Sequence, residues 1–260
     1  MSSATRPLIL LSNDDGVAAP NLAAVRAALL PLADVIVCAP ELNQSATSHS
    51  LSLHRILRLR AVEPGVFAVD GTPADCVYTA LHSGTRILPR RPDLVVSGMN
   101  HGLNLGIDVF YSGTVAAARE AAIRGIPAVA LSADEGADRA AAAALGAQIA
   151  LAALAGYRRA PTTAAPLLSV NIPRGTAWSV RSTCLGARLY SEDVEYRRDP
   201  RGREYLWIGG SSVRHDHVLG SDTEAHDAGV ASITPLTLEL TAPSTVLLAA
   251  EIAATFAQPS

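Results

Sequence analysis

The segment best suited to chemistry is an apolar run that ends in two adjacent acidic residues. Residues 8–12, LILLS, predict a buried strand, and Asn13, Asp14, Asp15 and Gly16 form the loop that leaves it. Adjacent carboxylates repel each other unless a positive charge lies between them. At the carboxyl end of a parallel strand, oxygen ligands of this kind suit Mg²⁺ or Mn²⁺. The alternative is a solvated turn in which Asp-Gly serves backbone shape.

A second candidate is the glycine-rich loop of residues 97–114, SGMNHGLNLGIDVFYSGT. Glycine allows the backbone to approach a ligand closely, and Asn100 and Asn104 offer amide oxygens and N–H donors. Three residues lie where a helix N-terminus would bind an anion: Ser112, Gly113 and Thr114. The loop has neither the lysine of a Walker loop nor the G-x-G-x-x-G spacing, and Ser112 is equally suited to capping the helix.

A third candidate is the polar loop of residues 39–52, APELNQSATSHSLS, which also follows a strand-like run. Ser45 can supply a hard oxygen ligand, and Ser48 and His49 are alternatives in the same loop. Among the remaining charged residues, Asp75 fits a helix-capping pattern, and Asp108 is either part of the site or an anchor for its loop.

Composition limits the class of protein. The chain has 260 residues, 49% of them hydrophobic, with a formal net charge of −3, which predicts a substantial core and neither a nucleic-acid nor a membrane-surface partner. Its three cysteines are widely spaced, without zinc or disulfide patterns, and no segment resembles a signal peptide or a membrane span. We therefore expect a cytoplasmic protein.

Strand-like and helix-like segments alternate before residue 181. The predicted strands are Leu8–Ser12, Asp34–Ala39, Phe67–Val69, Leu94–Ser97, Ile126–Ser132 and Leu167–Asn171. The predicted helices are Asn21–Leu30, Thr72–Leu81, Val115–Arg124 and Ala137–Leu154, the last of them apolar nearly all round and therefore expected to be buried. This alternation predicts an α/β fold with a mostly parallel sheet covered by helices on both faces.

The pattern changes after residue 181. Two aromatic, β-prone runs flank Asp199-Pro200-Arg201-Gly202, which predicts a β-hairpin across Tyr190–Ile208. A strand at Leu236–Leu240 and a helix at Ser244–Phe256 follow. We expect one domain, with an α/β core at residues 6–180, a hairpin extension at 181–235 that serves self-association, and a C-terminal strand and helix at 236–260.

These motifs together resemble the SurE family of survival-protein nucleotidases, and the resemblance spans nearly the whole chain. The matching segments are SNDDG (12–16), the Ser45 loop, GTPADCV (71–77), residues 97–120, DPRGR (199–203) and SITPL (232–236). The resemblance implies a Rossmann-like, three-layer fold with a protruding hairpin and a dimer or tetramer. It also implies metal-dependent hydrolysis of nucleoside 5′-monophosphates and, in some members, of 3′-nucleotides and short polyphosphate. Departures from the family pattern are Ala46, where glycine is common, and Val230, where an aromatic residue is usual.

Site residues follow from the resemblance. One Mg²⁺ or Mn²⁺ per subunit is expected on Asp14, Asp15, Ser45 and Asn100. We expect Asp14, Asp15, Asn100 and Ser112 to be catalytic, with a second oxygen of Asp15 orienting the attacking water. The residues expected to bind the substrate phosphate are Asn104, Ser112, Gly113 and Thr114. His101, beside Asn100, is a further candidate for substrate contact.

Two other functions are compatible with parts of the sequence. An aspartyl-phosphate phosphatase of the haloacid-dehalogenase type requires D-x-D, whereas Asp14 and Asp15 are adjacent. A non-catalytic nucleotide or polyphosphate sensor would gain nothing from two bare carboxylates without a metal.

Overall fold

The computed structural model describes residues 6–190, 194–208 and 213–256, and its fold is α/β. The strands are β1 Leu8–Ser12, β2 Asp34–Pro40, β3 Leu59–Glu63, β4 Val66–Val69, β5 Leu94–His101, β6 Ala128–Ala133, β7 Leu167–Ile172, β8 Val180–Ser182, β9 Ala187–Tyr190, β10 Val194–Arg198, β11 Glu204–Ile208, β12 Val213–Asp216 and β13 Ala231–Leu236. The helices are α1 Pro20–Leu29, α2 Pro73–His82, α3 Asp108–Tyr111, α4 Gly113–Ile123, α5 Arg139–Arg159, α6 Asp222–Asp227 and α7 Val246–Ala254.

A nine-stranded sheet forms the centre of the molecule, in the order β3-β4-β2-β1-β5-β6-β7-β13-β8. Its strands are parallel except at the β3–β4 and β7–β13 contacts, which confirms the predicted mostly parallel sheet. Because β2, β1, β5 and β6 are parallel neighbours, their carboxyl ends lie at one edge of the sheet. The loops that follow β1, β2 and β5 carry the three candidate segments.

Helices cover both faces of the sheet. Ile9 and Leu11 pack on one face with residues of α1 and α5, whereas Leu8 and Leu10 pack on the other with residues of α2 and α4. Alternate residues of a strand point to opposite faces, so β1 is buried on both sides. The three-layer arrangement is therefore confirmed.

Helix α5 differs from expectation. Its apolar composition predicts a buried helix, but only one face is buried, including Ala143, Ala147 and Leu154, while the remainder is partly or fully exposed. By length and composition alone, Arg139–Arg159 could cross a membrane. In the structure its buried residues belong to the core shared with α1 and the sheet, as in a core helix of a globular protein.

The extension contains two antiparallel strand pairs. Strands β10 and β11 form the predicted hairpin, whereas Tyr190 lies in β9, which pairs with β12. The connecting residues 191–193 and 209–212 lie outside the described part of the chain, as do residues 1–5 and 257–260. The division of the chain at residues 181 and 235 stays a prediction, although β8 and β13 belong to the main sheet.

The strand predicted at Leu236–Leu240 is wrong, because β13 ends at Leu236. β13 lies between β7 and β8, but β8 contacts it only from Ala231 to Ile233. Pro235 therefore lies where β13 has no partner strand on the β8 side, a position where its missing N–H is tolerated.

Candidate active site

Asp14 is a buried acidic residue at the carboxyl edge of the sheet. It follows β1 and is 4% exposed, and one carboxylate oxygen, Oδ1, accepts a hydrogen bond from the Thr114 hydroxyl at the start of α4. At Gly113, a Cβ atom would lie 2.8 Å from Cβ of Asp14 and 3.0 Å from Cγ of Pro73. The site therefore requires glycine there, and the N-terminus of α4 packs directly against Asp14.

Burial changes the protonation of this carboxyl group. Burial, assisted by the neighbouring charge of Asp15, raises the pKa of Asp14 to about 6, while the Thr114 hydrogen bond opposes the increase. A positive ligand would restore the ionised form at lower pH, since an opposite charge favours the carboxylate.

Asp15 contacts the end of β5 at the residue next to Asn100. The backbone N–H of His101 donates to Oδ2 of Asp15 at 3.1 Å, which brings the end of β5 to the acidic pair. A β-bulge lies between Ser97 and Asn100, and Gly98 there has a φ of +128° and no room for a side chain against the Leu131 carbonyl. Bulges of this kind redirect side chains near active sites.

The amide group of Asn100 is oriented by its own loop. Its Nδ2 atom donates to the Gly102 carbonyl at 2.9 Å. The nitrogen is therefore engaged, and Oδ1 is the atom available to a ligand.

Ser45 reaches the same edge through its loop. The backbone N–H of Gln44 donates to the carbonyl oxygen of Asp14 at 2.8 Å, so Ser45 is one residue from a direct contact with Asp14. The Ser45 hydroxyl donates to Oδ1 of Asn43 at 2.6 Å and the residue is exposed. Ala46, next in the chain, has a φ of +58°, a conformation that glycine adopts more easily.

Three of the four residues expected to bind phosphate lie at the start of α4, and two of these three have partners within the protein. Ser112 caps the helix, because its Oγ accepts from the backbone N–H of Val115 at 3.1 Å. Thr114 contacts Asp14, as described above. The helix N-terminus remains a favourable position for an anion, since its first N–H groups have no partner within the helix.

Asn104, the fourth of these residues, lies in the glycine-rich loop and is also buried, with 8% of its surface exposed. Its Nδ2 donates to Oγ of Ser132 at 2.7 Å, and its backbone N–H donates to Oδ1 of Asn171 at 2.8 Å. In this structure the side chain holds the glycine-rich loop against β6 and β7.

A family model described as "Survival protein SurE" matches residues 9–192. The chain belongs to the SurE family.

Several SurE relatives match over nearly their full length. "5'-nucleotidase SurE" of Sorangium cellulosum (strain So ce56) is 68% identical over 251 residues, which cover 95% of this chain and 97% of the relative. "5'-nucleotidase SurE" of Syntrophotalea carbinolica is 45% identical over 236 residues, covering 90% and 92%. The crystal structure of the SurE protein from Aquifex aeolicus matches with a TM-score of 0.80 and 35% identity, over 95% of this chain and 100% of that one.

The donor set of this SurE chain fits a hard divalent cation. Two carboxylates, a hydroxyl and an amide oxygen lie on segments at the carboxyl edge of the sheet, and the buried Oδ1 of Asn13, next to Asp14 in the chain, has no hydrogen-bond partner among the described residues. Within those same residues, no group of three or more His, Cys, Asp or Glu side chains could hold a metal ion. The candidate set is not such a group because it has only two acidic residues, and Ser45 and Asn100 add neutral oxygen atoms of the kind that Mg²⁺ and Mn²⁺ accept.

Two acidic residues, Asp108 and Asp222, support the loops of the site in this SurE chain. Asp108, one of the open alternatives, is a loop anchor in the structure: Arg188 and the Tyr190 hydroxyl both donate to it at 2.5 Å. Asp222 was not predicted, although it accepts the backbone N–H groups of Gly106 at 3.0 Å and Gly186 at 2.7 Å.

A local sequence signal could have indicated Asp222. Ser221 and Glu224 form the S-x-x-E pattern of a helix start, and in the structure Ser221 Oγ accepts from the Glu224 backbone N–H. The pattern locates α6 but does not show what Asp222 contacts.

Proposed function

We propose that the chain is a divalent-metal-dependent 5′-nucleotidase that hydrolyses nucleoside 5′-monophosphates to nucleoside and phosphate. The observation that carries the proposal is the contact between buried Asp14 and the N-terminus of α4. This contact sets a buried carboxylate, which would bind the metal, beside a helix N-terminus, which would bind the phosphate, and metal-assisted hydrolysis of a phosphate monoester uses both. The names of the relatives support the same reaction.

Asp14, Asp15, Ser45 and Asn100 would hold one Mg²⁺ or Mn²⁺. When bound, such an ion polarises a phosphoryl oxygen and lowers the pKa of a water molecule that attacks phosphorus. Thr114 fixes one oxygen of Asp14, and the Gly102 carbonyl fixes the nitrogen of Asn100. Preorganised ligands of this kind bind the ion without a large loss of side-chain freedom.

Residues of the chain also act on the substrate and the water. The N–H groups at Gly113 and Thr114 would stabilise negative charge on the phosphate, with Ser112 beside them. Oδ2 of Asp15 accepts the His101 N–H, so Oδ1 of Asp15 is the atom that would orient the attacking water or accept its proton. Asn104 would act through the loop that it holds, rather than by direct contact.

The proposal extends to substrate range, assembly and location. We include 3′-nucleotides and short polyphosphate as substrates, since water can attack the phosphoryl group of either, releasing the nucleoside from a 3′-nucleotide and the shortened polyphosphate from the anhydride. We further propose a dimer or tetramer, supported by two exposed apolar elements, the β10–β11 hairpin and α7. A cytoplasmic location is consistent with three free cysteines, Cys38, Cys76 and Cys184.

The test is a panel of metals and substrates on protein dialysed against EDTA. We expect AMP and GMP hydrolysis only after Mg²⁺ or Mn²⁺ is restored, and a loss of at least about 100-fold in Asp14→Asn and Asp15→Asn. Asp34→Asn is the matched control, because Asp34 is an exposed aspartate at the opposite end of β2. Full activity in EDTA would contradict the proposal.

Two outcomes would favour the other functions. A hydroxylamine-labile phosphoenzyme would indicate an aspartyl-phosphate mechanism. Nucleotide binding without turnover in the presence of every metal would indicate a sensor.

A further inference from the structure

The loop that carries Ser45 is long and lacks regular structure. Residues 41–58 connect β2 with β3 without forming a helix or strand. Two of its non-glycine residues, Ala46 and Ser48, have positive φ values of 58° and 53°. A non-glycine residue keeps a positive φ only when surrounding contacts hold the backbone. The contacts on either side of Ser45 therefore determine the position of its hydroxyl.

On its N-terminal side, the Ser45 segment is held by the Gln44 contact to Asp14 described above. On its C-terminal side, the backbone N–H of Ser48 donates to the Tyr111 carbonyl at 3.0 Å, and the Ser48 hydroxyl donates to the Phe110 carbonyl at 2.6 Å. Both carbonyls immediately precede α4. The loop is therefore positioned against the helix that is proposed to bind phosphate.

His49 provides a side-chain anchor beyond these contacts. Its Nε2 lies 2.9 Å from Oε2 of Glu120, a residue of α4 that is only 2% exposed. Glu120 also accepts from Arg124 at 2.9 Å. Burial alone would raise the pKa of Glu120, but the bonds from His49 and Arg124 hold that pKa below its ordinary value.

The strength of this anchor follows from its environment. A hydrogen bond to an ionised, buried carboxylate is stronger than one between neutral groups. When His49 is removed, Arg124 still pairs with Glu120, so the carboxylate is not left without a partner. The principal consequence of losing His49 is therefore the loss of the side-chain contact between the loop and Glu120 of α4, while the contacts of Gln44 and Ser48 remain.

We propose that His49 is a positioning residue that holds Ser45 at the metal through its bond to Glu120. The proposal rests on the proposed function, in which Ser45 is a metal ligand. Glu120 lies about two helical turns after Gly113 on the same rigid helix. The helix that places the phosphate-binding N–H groups thus also sets the position of the Ser45 ligand.

The test measures Mn²⁺ affinity of metal-free protein by calorimetry, which does not depend on turnover. His49→Leu has a similar volume but no donor, and we expect it to raise the dissociation constant about tenfold, as removal of a group that orients a metal ligand does. His49→Gln keeps an N–H donor near the position of Nε2, and we expect it to restore most of the affinity. If His49→Leu does not fold, His49→Ala replaces it.

A double-mutant cycle separates positioning from general loss of structure. In a Ser45→Ala background, His49→Leu should cause no further loss of affinity, because the ligand that it positions is already absent. Arg55→Ala is the matched control, since Arg55 ties the far end of the same loop to Ser52 and the Asp70 carbonyl. We expect its affinity to equal that of the unmodified protein.

Each outcome has one meaning. Unchanged affinity in His49→Leu, equal losses with and without Ser45, or unchanged affinity in Ser45→Ala would overturn the role of His49. Wild-type affinity in Asp14→Asn would instead overturn the proposed metal site itself.

Discussion

The hydroxyl of Thr114 donates a hydrogen bond to Oδ1 of Asp14, 100 residues away in the sequence. This bond joins the first turn of α4 to the end of β1, and Gly113 allows the two elements to approach closely. It also stabilises the charged form of a buried carboxyl group, because a hydroxyl that donates to a carboxylate lowers its pKa. Thr114 therefore affects the pH at which Asp14 becomes available to a cation.

We predict that Thr114→Val shifts the pH dependence of metal binding. The pKa of Asp14 is about 6 in the metal-free protein, and valine cannot donate the hydrogen bond that opposes a further increase. Because the cation binds the ionised carboxylate, Mn²⁺ affinity should rise with pH, with a midpoint higher in the variant by about one unit. Calorimetric titrations between pH 5 and 8 measure this shift.

Thr114→Ser is the control for the loss of the hydroxyl. It keeps the donor and should keep the midpoint of the unmodified protein. Coincident pH profiles for all three proteins would show that the hydroxyl does not control ionisation of Asp14.

We also predict that Asp14→Asn stabilises the metal-free protein at neutral pH. The folded-state pKa of about 6 lies above the unfolded value of 3.8, so the folded state loses stability as pH rises through this interval. Above pH 6 the cost is at most about 3 kcal/mol, and below about pH 4 it is absent. Asparagine carries no charge and keeps an oxygen that accepts from Thr114.

Urea unfolding in EDTA measures the free energy of unfolding of both proteins. At pH 7.5 the variant should be more stable by about 1–3 kcal/mol, and at pH 4 the two should be similar. With saturating Mn²⁺ the order should reverse, because only the unmodified protein gains binding energy. An equal difference at both pH values would exclude ionisation of Asp14 as its cause.

The site shows which contacts could be predicted from the sequence. Asp14 and Asp15 follow β1, and Asn100 lies at the end of the adjacent parallel strand β5. Such strands end at one edge of the sheet, so the placement of these residues at that edge follows from local patterns. The bonds of Asp222 to Gly106 and of His49 to Glu120 join residues 116 and 71 positions apart. No periodicity or motif specifies such pairs, because they depend on how helices and loops distant in the sequence pack against each other in the fold.

The last strand of the chain, β13, also shows that sequence patterns alone do not locate an element that depends on its partner strand. The alternating leucines of residues 236–240 predict a half-buried strand, yet Leu240 is 93% exposed. The strand lies earlier, where Ser232 pairs with Asn171 and Leu236 with Leu167. The partner strand determines the register, and an alternating pattern alone does not identify that partner.

Asp222 leads to a third prediction, on stability. Asp222→Ala leaves the buried N–H groups of Gly106 and Gly186 without their acceptor, which should destabilise the fold by about 2–4 kcal/mol. It should also lower turnover, because Gly106 belongs to the loop that carries Asn100 and Asn104. Urea unfolding and AMP hydrolysis measure the two effects.

Asp227→Ala is the control within the same helix. Asp227 is exposed and contacts His215, and exposed ion pairs contribute at most about 1 kcal/mol. If the two variants lose equal stability, the bonds of Asp222 do not hold the loop.

The last prediction is that the β10–β11 hairpin mediates self-association. On one face of the hairpin Val194 lies opposite Ile208 and Tyr196 opposite Leu206, and all four side chains are exposed. A two-stranded hairpin is marginally stable alone in water, and exposed apolar faces of this kind mark interfaces. Replacing residues 194–208 with a short Gly-Ser turn should leave the α/β core folded but lower the mass of the assembly.

Light scattering at micromolar concentration measures the mass, and circular dichroism confirms that the core remains folded.

Helix α7 is a second candidate contact, because Leu247 and Leu248 are exposed and no residue of this helix is buried in the described chain. A separate truncation after Leu240 tests its contribution. Two results together would assign the contact to the strands of the hairpin. The assembly should become smaller when the hairpin is removed, and it should keep its mass after a Gly202→Ala change at the turn. A monomeric wild-type protein, or a full oligomer without residues 194–208, would exclude the hairpin as the contact, since an interface cannot persist after its own surface is removed.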